Sequence, residues 1–222
     1  MPARAASIRS TYHVGNLREA LIAQALSQLK AGGLESLSLR KVAARAGVSH
    51  TAAYRHFDDK NALLAAVAEE GFRLLYKYQC QVVAEAGEDL RERFLNLGWL
   101  YVKFTIEHPQ HARIMFGGAG LEFKSYPALQ AAAAKTFRQL LEVVRRGQAR
   151  GLIATGRSKH RALAAWSIVH GVSMLILDGQ IHLRGDASEV EQTVKELISC
   201  LYFGLAARTS STLTSGAGPR GS

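Results

Sequence analysis

Residues 38–60, SLRKVAARAGVSHTAAYRHFDDK, bring cations, small side chains and short hydrogen-bonding groups together at helical spacing. The chemistry they suit is recognition of a nucleic acid. At 100° per residue, Thr51 and Arg55 point nearly opposite Ala53, with Ala52 and Tyr54 on the flanks. A guanidinium at Arg55 matches guanine O6 and N7, and the methyl of Thr51 or Ala52 matches a thymine methyl. The outer face is slim near its start, so the backbone can approach base edges. Arg40, Lys41, Arg45 and Arg55 fall where phosphates would lie.

Two short helices must hold these groups. Ser38 is placed to cap a helix over 39–46. In it Leu39, Val42, Ala43 and Ala46 recur at spacings of three and four and form one buried stripe. Gly47 suits the left-handed position that ends a helix. Val48 plugs the corner, Ser49 caps the next helix, and Ala53 and Phe57 share its inner face. This is the layout of a helix-turn-helix that lays its second helix in the major groove.

Charge agrees with a polyanionic partner. Residues 1–57 hold eight lysines and arginines against two acidic residues, more than half of the net +10 of the 222-residue chain. The pI is about 9.9. The two cysteines, Cys80 and Cys200, make no disulfide framework and read as small buried hydrophobes. The first residues lack the apolar stretch of a secretory signal. The most apolar run, near 166–177, reads as too short and interrupted to span a bilayer. A cytoplasmic protein without membrane contact is the expectation.

Nothing supports catalysis. GVSM at 171–174 lacks the second glycine of a nucleophile elbow, and no phosphate-cradling glycine loop occurs. Glu107, His108 and His111 resemble a ligand cluster, but Pro109 separates them. The reading assigns no catalytic residue, no metal and no cofactor.

The rest of the chain reads as all-α. A first helix covers 16–31, with Leu17, Leu21, Ala25 and Leu29 in line, and Gly32-Gly33 stops it. A long helix follows Asp58-Asp59 toward position 86. Further helices are expected over 89–107, 110–116, 127–150, 158–182 and 187–207. The domain reading is a flexible N-terminus over 1–14, a DNA-binding domain over 15–60, a larger helical domain over 61–208 and a disordered tail over 209–222. Trp99, Phe104, Met115, Phe116, Phe137, Trp166, His170 and Met174 point to an apolar cavity in the larger domain. His170 follows Trp166 by four residues on one face and reads either as a core histidine bonded to backbone or as a ligand contact. Helix 158–182 is apolar on two sides, and helix 187–207 carries apolar residues at similar spacing. Leu163, Trp166, Val169 with His170, and Ser173 mark one face of the first, and Ile168, Val172, Leu175 and Ile176 another. Val190, Val194, Leu197, Leu201 and Leu205 line the second. A four-helix interface between two copies would cover them.

The stretch from LREALIAQALSQLKAGG through LSLRKVAARAGVS and TAAYRHF to DDKNALLAAV resembles the TetR family of transcriptional regulators over residues 16–70. The resemblance implies that His50, Thr51, Ala52 and Arg55 face bases. It implies that Ser38, Arg40, Tyr54, His56 and Lys60 contact phosphates. Arg55 stays open between base reader and phosphate clamp. The Trp166-x-x-x-His170-Gly171 spacing and the segment EHPQHARIMF are similar to a Trp-His-Gly type of C-terminal domain found in some such regulators. The implied function is a dimeric repressor on a palindromic operator, released by a small apolar or aromatic effector. Two other readings remain: a DNA-binding dimer without small-molecule input, and an enzyme or binding module that uses the helix-turn-helix as scaffold.

Overall fold

The computed structural model describes residues 17–117 and 119–203. The segments 1–14 and 209–222, and Leu205, lie outside the described residues. Among the described residues the fold is all-helical: α1 (Leu17–Ser36), α2 (Leu39–Arg45), α3 (His50–Tyr54), α4 (Lys60–Glu85), α5 (Leu90–Glu107), α6 (Pro109–Met115), α7 (Pro127–Ala149), α8 (Ser158–Leu177) and α9 (Ala187–Phe203), with a short 3-10 turn at Phe123–Ser125.

Local chemistry explains most boundaries. The regular backbone of α1 breaks at Gly32 and Gly33, where Gly33 sits at φ 66°, so the expected stop at this pair holds. Asp59 caps α4 by accepting from the Ala62 N–H at 2.7 Å. Asp89 caps α5 by accepting from the Arg91 and Glu92 N–H groups. Pro109 and Pro127 open α6 and α7 at positions where a missing N–H costs nothing. The last turn of α8 departs from expectation. It ends at Leu177, and Gly179 at φ 72° turns the chain away. Its 20 residues span roughly 30 Å at 1.5 Å each, against the ~37 Å expected for 158–182.

The first three helices close around the stripe read from the sequence. Leu21, Ile22, Ala25 and Leu29 of α1 pack with Leu39, Val42, Ala43 and Ala46, and with Ala53 and Phe57. Gly47 makes the α2–α3 corner at φ 70°, a conformation that side chains with a Cβ rarely adopt. From there α4 runs into the larger domain, where it packs mainly on α7, α6 and α5. Gly71 brings α6 close: a Cβ there would stand 2.5 Å from Met115 Sδ and 3.1 Å from His111 Cβ. Arg18 of α1 and Arg73 both pair with the buried Glu69 of α4, at 3.4 and 2.6 Å.

Three expectations are corrected. Ser38 occupies the cap position of α2, but its side chain makes no capping bond; its backbone N–H instead reaches Gln28 Oε1 at 3.5 Å. Both cysteines are exposed rather than buried, because Cys80 and Cys200 fall on the outer faces of α4 and α9. Finally, α8 is long and apolar enough by length and composition to cross a bilayer. Its character has a physical source in this fold. Ala162, Ala165, Val169 and Ser173 are buried, while Ile168 and Leu175 remain more than 40% exposed on other faces.

The caps separate two serines of similar sequence context. Ser49 Oγ accepts from the Ala52 N–H at 3.1 Å, so Ser49→Ala should cost about 1 kcal/mol in urea unfolding. Ser38→Ala should stay within about 0.5 kcal/mol. Equal losses at the two positions would contradict this assignment.

Candidate nucleic-acid interface and internal cavity

On α3 the inner face is anchored by Ala53, fully buried, and the chain continues to Phe57, also buried. That leaves His50, Thr51, Tyr54, Arg55 and His56 exposed, with Ala52 half-buried beside them. His50 and Tyr54, one turn apart, stack edge to face with centroids 4.5 Å apart. Arg55 lies at the C-cap with helical dihedrals, so it continues the line from Thr51. Arg40, Lys41 and Arg45 are exposed along α2, and Ser38 is half-buried at its start. The structure thus gathers eight of the nine residues read as DNA contacts around one short helix and the start of its neighbour. Lys60 is the ninth. Its ammonium donates to the Leu34 carbonyl at 2.8 Å and ties the start of α4 to the end of α1. Two further donors remain on that nitrogen.

Further along α4, Phe72, Leu75 and Gln79 form one wall of an internal cavity of about 560 Å³. Phe94, Leu97, Gly98 and Tyr101 of α5 form another, at spacings of three and four. The remaining wall comes from the end of α6, from α7, and from Ala165, Trp166, Val169 and His170 of α8. Phe123, Ile198 of α9 and the exposed Lys159 and Leu163 complete the lining of the cavity. The volume lies within the roughly 300–1,000 Å³ usual for small-molecule sites.

The polar part of this cavity is a short relay. The Trp166 indole N–H donates to the Tyr101 hydroxyl oxygen at 3.3 Å, and that hydroxyl lies 3.0 Å from His170 Nδ1. An indole nitrogen only donates. The Tyr101 oxygen therefore accepts from Trp166, and its contact with His170 Nδ1 is assigned with the hydroxyl as donor. Neutral His170 then carries its proton on Nε2. Burial pushes the His170 pKa below its ordinary 6.5, and burial drives the Tyr101 phenol far above its ordinary 10. Both groups are uncharged at neutral pH. Around them Phe116 stands 5.1 Å from the His170 ring and 5.5 Å from the Tyr101 ring, and Phe137 stands 6.2 Å from Trp166.

Of the eight residues read as cavity-lining, Met115, Phe116, Phe137, Trp166 and His170 are brought together here. Trp99, Phe104 and Met174 are not. Trp99 sits two residues from Tyr101 and so on a different side of α5. Phe104 is buried against His108, with ring centroids 4.8 Å apart. Met174 lies one turn beyond His170. The partner of His170 is a side chain and not backbone. Sequence reading passed over Tyr101 as a polar group and over Gln79 and Phe72 altogether. The i, i+3, i+7 run from Phe72 through Leu75 to Gln79 was the available signal. Of the histidines by Pro109, His111 Nε2 faces Glu70 at 3.4 Å and His108 stacks on Phe104 and Tyr78.

Removing the Tyr101 hydroxyl leaves the Trp166 N–H and His170 Nδ1 without partners. Tyr101→Phe should therefore cost about 1–3 kcal/mol in urea unfolding; an unchanged midpoint would contradict the relay. The histidines add a pH dependence. Burial holds His170 and His108 below 6.5, so the unfolded chain takes up protons first as pH falls. Their contribution is complete above 6.5 and declines below it, toward the lowered folded values. Unfolding measured across pH 5–7.5 should show stability falling with acid through this window, with a shallower slope in His170→Phe.

Comparison with known proteins places this arrangement. Residues 21–67 match the family described as bacterial regulatory proteins, tetR family. Residues 94–201 match the tetracyclin repressor-like C-terminal domain. The tetracycline repressor protein class C of Escherichia coli is 50% identical over 52 residues, which span 23% of this chain and 24% of that protein. A solved protein of unknown function from Rhodococcus sp. RHA1 is 33% identical, with a TM-score of 0.76, over 90% of this chain and 100% of that one. The TetR family transcriptional regulator PfmR from Thermus thermophilus shares the fold at 17% identity and a TM-score of 0.65, over 84% and 99% of the two chains. The two family matches lie on the DNA-reading helices and on the cavity-bearing helices, and the chain belongs to the TetR family of transcriptional regulators, DNA-binding proteins rather than enzymes.

Proposed function

We propose that this protein is a ligand-responsive repressor that binds a palindromic operator as a dimer and is released by a small apolar or aromatic effector. The observation that carries this reading is the course of α4. One end is fixed to the DNA-reading helices through Lys60–Leu34 and Arg18–Glu69, and the same helix forms a wall of the cavity with Phe72, Leu75 and Gln79. A molecule that repositions that wall moves the recognition helix with it. In this reading residues 15–60 read DNA, through His50, Thr51, Ala52 and Arg55 on bases and Ser38, Arg40, Tyr54, His56 and Lys60 on phosphates. Residues 61–208 hold the effector and the dimer contact, and the protein works in the cytoplasm.

The dimer reading is supported by the apolar side chains left exposed on α8 and α9. Ile168 and Leu175 of α8 and Leu197 of α9 are each more than 40% exposed, while Val194 and Ile198 of α9 are buried against their own protomer. A second copy would cover them and set two copies of α3 about one DNA turn apart, roughly 34–36 Å. Trp166 and His170 meet in the relay through Tyr101, and with Gly171 following directly this pairing supports the Trp-His-Gly subtype.

Selection of DNA bound by the purified protein at two salt concentrations tests the function. A palindrome that survives the higher salt is expected, and Arg55→Ala should cost ~1–3 kcal/mol at one base position of it. Recovery of unrelated sequences that are lost as salt rises would reduce the basic first domain to charge attraction alone.

A further inference from the structure

We propose that the cavity is built for an uncharged, largely apolar ring compound that carries a carbonyl oxygen and, on the same molecule, a hydroxyl or N–H group. This rests on the effector reading above and gives it a chemical class. Three observations lead there.

The first is which hydrogen-bonding groups of the lining are already committed. The Trp166 N–H is bound to Tyr101, and the Tyr101 hydroxyl is engaged by His170 Nδ1, with the hydroxyl assigned as donor. The Thr136 hydroxyl donates to the Ala133 carbonyl at 2.7 Å. What remains is the His170 Nε2–H, a donor, and the side-chain amide of Gln79. Gln79 is only 6% exposed, lines the cavity, and its Oε1 has no hydrogen-bond partner among the described residues. A buried amide oxygen in that state costs stability, and a leucine there would not. The fold keeps a polar group where an apolar one would pack, on the helix that begins at the DNA-reading domain.

The second is charge. His170 and Tyr101 are both held neutral by burial. The single cation among the described lining residues, Lys159, is exposed. An anionic group placed beside Gln79 or His170 would be desolvated without a counter-ion. A cation would meet no carboxylate among those residues.

The third is shape. Phe72, Phe116, Phe137 and Trp166 present ring faces and edges from four directions, with neighbouring centroids 5.5–6.4 Å apart. Such walls suit a planar or ring-bearing body. His170 then donates to the ligand carbonyl, and Gln79 Oε1 accepts from its hydroxyl or N–H.

Three matched sets of two-ring compounds test this by calorimetric titration: hydroxymethyl-benzophenones, diphenylmethanes without polar groups, and benzoylbenzoates. Each is titrated into the full chain and into Gln79→Leu and His170→Phe. The hydroxymethyl-benzophenones should bind tightest to the wild-type chain, at least tenfold above either other set. That advantage should shrink to less than threefold in each variant whose circular dichroism matches wild type. The ranking in the wild-type chain is decisive whether or not the variants fold. A preference for the hydrocarbons or the carboxylates overturns the ligand class, as does an advantage that survives Gln79→Leu; either leaves a ligand-binding cavity and the effector reading standing. Failure of all three sets to bind overturns the class and the effector reading together.

Discussion

The burial of α4 is the constraint on which the rest of the structure depends. Its first turns, from Leu63 through Ala68, are buried at six consecutive positions, so this stretch is apolar all round and must be enclosed on every side. The helix-turn-helix unit supplies part of that cover and the larger domain the rest. At about 1.5 Å per residue, its 26 residues run roughly 39 Å. A helix of that length cannot shift at one end without carrying side chains at the other. The close approach at Gly71 reinforces this, since α6 lies against α4 with no space for a methyl group. Arg113 of α6 in turn bonds Asp178 and the Leu177 carbonyl at the end of α8. Cavity wall, α6 and α8 are therefore tied into one mechanical unit.

Two kinds of apolar surface divide the larger domain. One lines the cavity and is interrupted by few polar groups; Trp166, Tyr101 and Thr136 are satisfied within the protein, and Gln79 Oε1 is not. The other lies outside on α8 and α9. Both arise from helices whose hydrophobic residues exceed what one face can hold. In α8 the small residues Ala162, Ala165 and Ser173 allow close packing on the domain, and the bulky Ile168 and Leu175 are left outward.

The DNA-reading corner was legible in the sequence because each of its requirements is local. A stripe at three-and-four spacing, a glycine at φ 70° and a capping serine at Ser49 all act within a few residues of one another. The cavity was legible only in outline. Trp166 and His170 share a face by helical geometry, but Tyr101, which joins them, lies 65 and 69 residues away and is identified by packing alone. The choice among Trp99, Tyr101 and Phe104 depends on which side of α5 meets α8, and periodicity in an apolar helix does not decide it. Ser38 shows the same limit in reverse: a correct residue type at a cap position makes no side-chain capping bond, while its own backbone N–H reaches Gln28. The early end of α8 was available from Gly179, whose meaning was masked by the apolar Ile181 and Leu183 that follow.

The central claim is that cavity and operator communicate through α4, and reciprocal linkage measures it directly. Operator affinity is determined with the cavity empty and with it saturated, and ligand affinity is determined with and without operator. The account predicts that a saturating ligand weakens operator binding at least a hundredfold, a coupling of about 2.7 kcal/mol, and that operator weakens ligand binding by the same factor. Operator affinity unchanged by a fully occupied cavity would contradict it.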